Sequence, residues 1–120
     1  MRKLFVPYEL AVKLKEKGFD EMSLAKYYLQ DEEVFLMIGD KEIEEAENGG
    51  DGIAFECNAP LFQQVVDWFR EKHGIDFSSL KLKDGYTVVV VDKTETGWRS
   101  KSLPYYEALT KAIEESLRLI

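Results

Sequence analysis

The sequence predicts an α+β fold: antiparallel sheet, in one piece or two, with three helices, in the order α-β-β-(β)-β-α-β-β-β-α. Three observations carry this. Three segments place apolar residues at helical spacing, each opened by a proline and two closed by a glycine. Between them lie short runs rich in aromatic and β-branched residues. Short turn signals join several of these runs, which selects hairpins over parallel crossover units.

The first helix is expected from about Pro7 to Lys17. Proline suits a first helical turn, and Phe5 and Leu10 are spaced as a hydrophobic staple. Leu10, Ala11 and Leu14 form its apolar stripe, and Gly18 is expected as a left-handed cap. Ala25, Tyr27 and Leu29 then alternate with Lys26, Tyr28 and Gln30 as a first strand. After the turn Asp31-Glu32-Glu33, the unbroken run Val34–Ile38 reads as a central strand covered on both faces. A polar stretch over 39–52 ends in Asn48-Gly49-Gly50-Asp51-Gly52, a turn, and leads into a short strand over 53–57.

The second helix is expected over Pro60–His73, with Gly74 as its stop. Phe62, Val65, Val66 and Phe69 share one face, and Leu61 and Trp68 flank it. Leu80 and Leu82 then alternate with Lys81 and Lys83 in a strand over 77–83. Asp84-Gly85 is a strong hairpin signal, and Tyr86–Asp92, with four consecutive valines, reads as a second central strand. Thr94-Glu95-Thr96-Gly97 turns into a last strand at Trp98–Ser102. From Pro104 the third helix carries Leu109, Ala112, Ile113, Ser116, Leu117 and Ile120 as one stripe. The end of the first helix (Leu14–Asp20) echoes that of the second (Phe69–Asp76), which raises two related α-β-β-β halves. A charged helix end stopped by glycine produces the same echo without common ancestry.

Length and charge bound the rest. The 120 residues suit a single globular domain, 1–120, and 45% apolar content with only 11 Gly and Pro excludes a disordered or collagenous chain. The longest apolar run is the five residues Val34–Ile38, so no membrane-spanning helix is expected. One cysteine cannot form an internal disulfide, and Met1–Pro7 lacks a signal peptide's apolar core, so the sequence predicts a soluble cytoplasmic chain. The net charge is −7, and residues 31–56 hold ten acids against Lys41. Such a balance disfavours nucleic acid and anionic membranes as partners.

The usual catalytic signatures are missing. Cys57 and His73 lie at opposite ends of the second helix, roughly 24 Å apart if it is continuous, too far for a nucleophile pair. No Gly-x-Ser-x-Gly elbow and no phosphate-binding loop occur. The acidic run from Asp40 fails the calcium-loop order, having Glu45 where glycine is needed and Asp51 in place of the closing glutamate. No catalytic residue, cofactor or metal ligand is therefore assigned. Asp67 and Glu107 are the carboxylates that a helix–sheet pocket could use in acid–base chemistry, and that small enzyme or small-molecule binder is one alternative reading.

Asn58–Lys72 and Tyr105–Ile113, together with Val6–Ala11, resemble a family of small uncharacterised bacterial and phage-borne proteins. The likeness implies mobile-element ancestry and transfers no functional residue. Tyr86–Leu119, with Glu107-Ala108-Leu109, is similar to HicB-type antitoxin modules, which implies a protein partner. The order α-β-β-β-α over 60–120 is similar to that of double-stranded RNA-binding domains. The lysines that family uses are replaced here by Pro104-Tyr105-Tyr106-Glu107.

The expected function is thus a protein-binding domain without catalytic activity, with an unidentified protein or a second copy of the chain as partner. The candidate surface comprises Trp68, Trp98, Tyr105 and Tyr106, since Trp and Tyr anchor interfaces, together with Glu42, Glu44, Glu45 and Glu47. Those glutamates also support an alternative, an acidic decoy that imitates DNA charge to bind a nucleic-acid-processing protein.

Overall fold

The computed structural model describes residues 2–38, 54–94 and 97–120. Its elements are α1 (Tyr8–Glu16), β1 (Ala25–Gln30), β2 (Glu33–Ile38), β3 (Ala54–Ala59), α2 (Phe62–Trp68), β4 (Asp76–Leu82), β5 (Gly85–Val91), β6 (Gly97–Arg99) and α3 (Tyr105–Leu117). Two antiparallel three-stranded sheets and three helices make this the expected α+β fold. The bracketed extra strand falls within 39–53, outside the described residues. The chain divides into two compact units, Met1–Leu61 and Phe62–Ile120.

In the first unit, α1 buries Leu10, Ala11 and Leu14, and Pro7 precedes it in extended conformation. Its end is a Schellman-type cap: Gly18 is left-handed at φ +98° and the Phe19 N–H donates to the Leu14 carbonyl at 2.9 Å. The sheet order is β2-β1-β3. The Tyr27 hydroxyl donates to the Val6 carbonyl at 2.7 Å, and its ring meets Tyr8 edge-on at 5.4 Å, tying α1's entry to the sheet. Beside it the Val6 N–H donates to the Pro60 carbonyl at 2.9 Å, and Phe5 bridges to Leu61.

The unbroken apolar run of β2 does not occupy a central position. Among the described residues β2 is an edge strand, with Phe35 and Ile38 exposed, and the central strand is the alternating β1, whose Ala25, Tyr27 and Tyr28 are buried. Continuity of apolar residues reports side chains on both faces, and an edge strand can carry them as well as a central one.

In the second unit, β4, β5 and β6 form a meander in that order. β5 is central, as expected, with Val88 and Val90 buried. The hairpin loop is Lys83-Asp84, and Gly85 already pairs with Leu82 as the first residue of β5. Both units place a helix before three antiparallel strands, yet the orders differ: the first strand along the chain is central in one unit and at an edge in the other. The sequence echo therefore does not extend to a shared sheet topology.

α2 is followed by one wide π-turn over Phe69–His73 and then by the left-handed Gly74. The Ile75 and Gly74 N–H groups both point to the Phe69 carbonyl. α3 buries Ala108, Leu109, Ala112, Ile113, Ser116 and Leu117, most of the expected stripe.

Candidate interaction surface

In the second sheet, residues directly opposite one another across an antiparallel ladder project to the same face. Phe77 stands opposite Val90, Ser79 opposite Val88 and Trp98 opposite Val90, so these share one face. Helices cover it: Phe69 stacks on Phe77 at 5.6 Å, and Tyr105 of α3 meets Tyr86 at 5.2 Å. The other face carries Leu80, Leu82, Val89 and Val91, running diagonally across β4 and β5, with Ser78 and Thr87 between them. It is partly open to solvent: Val89 is half-buried and Thr87, at its centre, is buried. Leu80 is 52%, Leu82 43% and Val91 36% exposed.

Charge is confined to the margins of this face. Arg99 stands opposite Val89 at the β6 side. Asp76, opposite Val91, is held by Arg70 at 2.8 Å. The β5–β6 ladder closes the surface through side chains. The Ser100 Oγ accepts the Val88 N–H at 3.0 Å, and the Thr87 Oγ1 donates to the Ser100 carbonyl at 2.6 Å. Pairing resumes at Tyr86 and Leu103, so the β6 side holds one extra residue, a bulge.

The aromatic candidates are placed differently from the expectation. Trp68 is 4% exposed and belongs to the core. The reading of it as a flanking residue assumed 100° per residue. The π-turn that follows stacks residues five apart, bringing His73 against the Trp68 ring at 4.8 Å, while Phe69 meets that ring at 5.0 Å. No local residue pattern announces a π-turn. Trp98 is half-buried on the helix-covered face, so the two tryptophans do not form an exposed pair. Tyr105 is exposed and Tyr106 half-buried. Their rings lie 5.0 Å apart, and Tyr106 continues to Phe62 at 5.4 Å, an aromatic row rather than a free patch. Glu42, Glu44, Glu45 and Glu47 lie outside the described residues.

The carboxylates considered for acid–base work are not brought together in a cleft. Asp67 accepts from Gln63 at 3.0 Å and lies 3.9 Å from Arg70 on the surface of α2, and Glu107 is exposed in the first turn of α3. Cys57 is buried in β3, and desolvation pushes its thiol up from 9.0 to about 11, with the nearby Lys15 opposing and Glu56 adding to the shift. A thiol so held is protonated at neutral pH and is a poor nucleophile. Among the described residues no group of three or more His, Cys, Asp or Glu is placed to hold a metal ion, and no helix is long and apolar enough to cross a membrane.

The residues that sequence reasoning missed as a surface are Leu80, Leu82 and Val91. The alternation of Leu80 and Leu82 with Lys81 and Lys83 gave the face but not its fate, because a strand like β5, apolar on both sides, offers helices either face. Comparison with protein-family models, with curated proteins and with solved structures gives no match.

Proposed function

We propose that the chain is a protein-binding domain without catalytic activity, and that it pairs with a second copy of itself through the open face of β4-β5-β6. The observation that carries this reading is the band of exposed Leu80, Leu82 and Val91, lying beside the half-buried Val89 on a sheet whose opposite face packs under helices. Exposed apolar groups that adjoin one another on a sheet gain by burial against a complementary face. Charge opposes a second copy least at this place. The chain carries −7 overall, so two copies repel each other across most of their surfaces. The band has uncharged residues at its centre, and its marginal charges include the basic Arg99 and an Asp76 already paired with Arg70.

Sedimentation velocity over a concentration series tests the reading. The wild type is expected to form a reversible dimer that Leu80→Lys and Leu82→Lys each abolish. Both positions are exposed, so at concentrations where the wild type is monomeric the thermal midpoint of either variant should stay close to that of the wild type. A wild type that stays monomeric into the high micromolar range overturns the pairing, as does a dimer that neither substitution weakens.

A further inference from the structure

The first unit holds a cleft of about 200 Å³ between the end of α1 and β3, lined by Ala11, Lys15, Phe19, Asp20, Phe55, Cys57 and Asn58. Its floor is apolar and closed: Ala11, Phe19 and Cys57 are buried. Its rim carries two opposite charges. The Lys15 ammonium is anchored by one hydrogen bond to the Glu56 carbonyl at 2.7 Å and sits 5.9 Å from the Phe55 ring centroid. An ammonium has three donors, so two remain for another acceptor. Asp20 lies on the same cleft, and it makes no ion pair with Lys15. Asn58 is fixed through its Nδ2, which donates to the Glu21 carbonyl at 2.9 Å, leaving its amide oxygen as an acceptor.

Two unpaired opposite charges flanking an apolar floor define what fits. A ligand with one charge would satisfy one side of the rim only, and a purely apolar one neither. The volume is below the roughly 300 Å³ at which drug-sized sites begin, so the occupant is small. We infer that this cleft binds a free α-amino acid with an apolar side chain, its carboxylate on Lys15, its ammonium on Asp20 and its side chain between Phe19 and Phe55. The neutral Cys57 thiol at the floor suits an apolar side chain and would not repel the carboxylate. This inference uses the first unit alone and is independent of the pairing proposed for the second sheet.

The test is a titration of the full chain with L-leucine and L-phenylalanine, followed by amide chemical shifts and by calorimetry. Saturable shifts at Ala11, Phe19 and Asn58 are expected with at least one of the two. 4-Methylpentanoate, which lacks the ammonium, and isoamylamine, which lacks the carboxylate, should bind at least about tenfold more weakly, the scale of one lost charge-assisted hydrogen bond. Lys15→Met and Asp20→Asn should each weaken binding by about tenfold as well. Both side chains are at the surface, so both variants should melt close to the wild type, which separates loss of binding from loss of fold. Absence of saturable shifts with both amino acids overturns the inference. So does equal binding of either single-charge analogue, or affinity unchanged in both variants.

Discussion

Ser100 stands where β6 would continue its ladder with Val88, and its hydroxyl, not its carbonyl, receives the Val88 N–H. Ser100→Ala would leave that buried donor without its partner, at a cost of about 1–3 kcal/mol. Urea titration should show the loss, and Ser100→Thr, which restores the hydroxyl, should recover part of it. Gly85 is constrained from another direction. A Cβ there would lie 2.8 Å from the Leu103 carbonyl oxygen, and its φ is +154°. Gly18, at φ +98°, has nothing within 4 Å of its Cβ position. Gly85→Ala should therefore destabilise clearly more than Gly18→Ala, which carries only the backbone strain of roughly 1 kcal/mol or more. Equal midpoints in urea for the two variants would contradict the close approach of Leu103. Cys57 gives a pH dependence of definite sign. Its thiol is raised in the folded state, so its contribution to stability is complete below about pH 9 and is lost as pH rises through about 11. Cys57→Ala should remove that alkaline component from the stability profile.

The β1–β2 hairpin shows what the sequence could and could not convey about an element. Asp31 and Glu32 were legible as a turn. Both have positive φ, 50° and 67°, the conformation of a two-residue type I′ loop, which favours Asn-Gly. The pair Asp31→Asn with Glu32→Gly should raise stability by about 1 kcal/mol by relieving left-handed strain, with the denaturant slope unchanged. No gain would mean that the present side chains compensate the strain locally. Helices, hairpins and the central β5 were readable because proline, glycine and period act within a few residues. The edge position of β2 and the choice of which face of β5 the helices cover depend on contacts between segments distant in sequence, and the π-turn after Trp68 has no residue signature. No residue spacing encodes them. The candidate surface was legible only as alternation in β4, and the cleft beside Cys57 was not legible at all, since α1 and β3 are separated by more than thirty residues.

At the scale of the whole molecule, charge and apolar contact oppose each other in self-association. Each copy brings −7 to a pair, and that repulsion is screened over about 10 Å at 0.1 M salt and about 3 Å at 1 M. Pairing through the open face of the second sheet should therefore tighten as sodium chloride is raised. Association that weakens with salt would instead point to opposite charges as its source, and the glutamates over 42–47 would then be the first place to look. Glutamine at Glu42, Glu44, Glu45 and Glu47 should strengthen pairing at low salt by lowering the repulsion. Sedimentation equilibrium at two ionic strengths reads both effects.

The differing strand orders of the two sheets carry a consequence for the time course of folding. β4 and β5 need to close only a two-residue loop, and β6 follows β5 after five residues, so the second sheet can assemble by successive short closures. In the first sheet β1 finds β2 at once across Asp31-Glu32, but β3 reaches β1 only after the chain has come back from residue 30 to residue 54. The entropy of that longer closure must be overcome before Tyr27 and Cys57 can pair. Pulse-labelled hydrogen exchange during refolding should accordingly find the amides of β4 and β5 protected before those of β3.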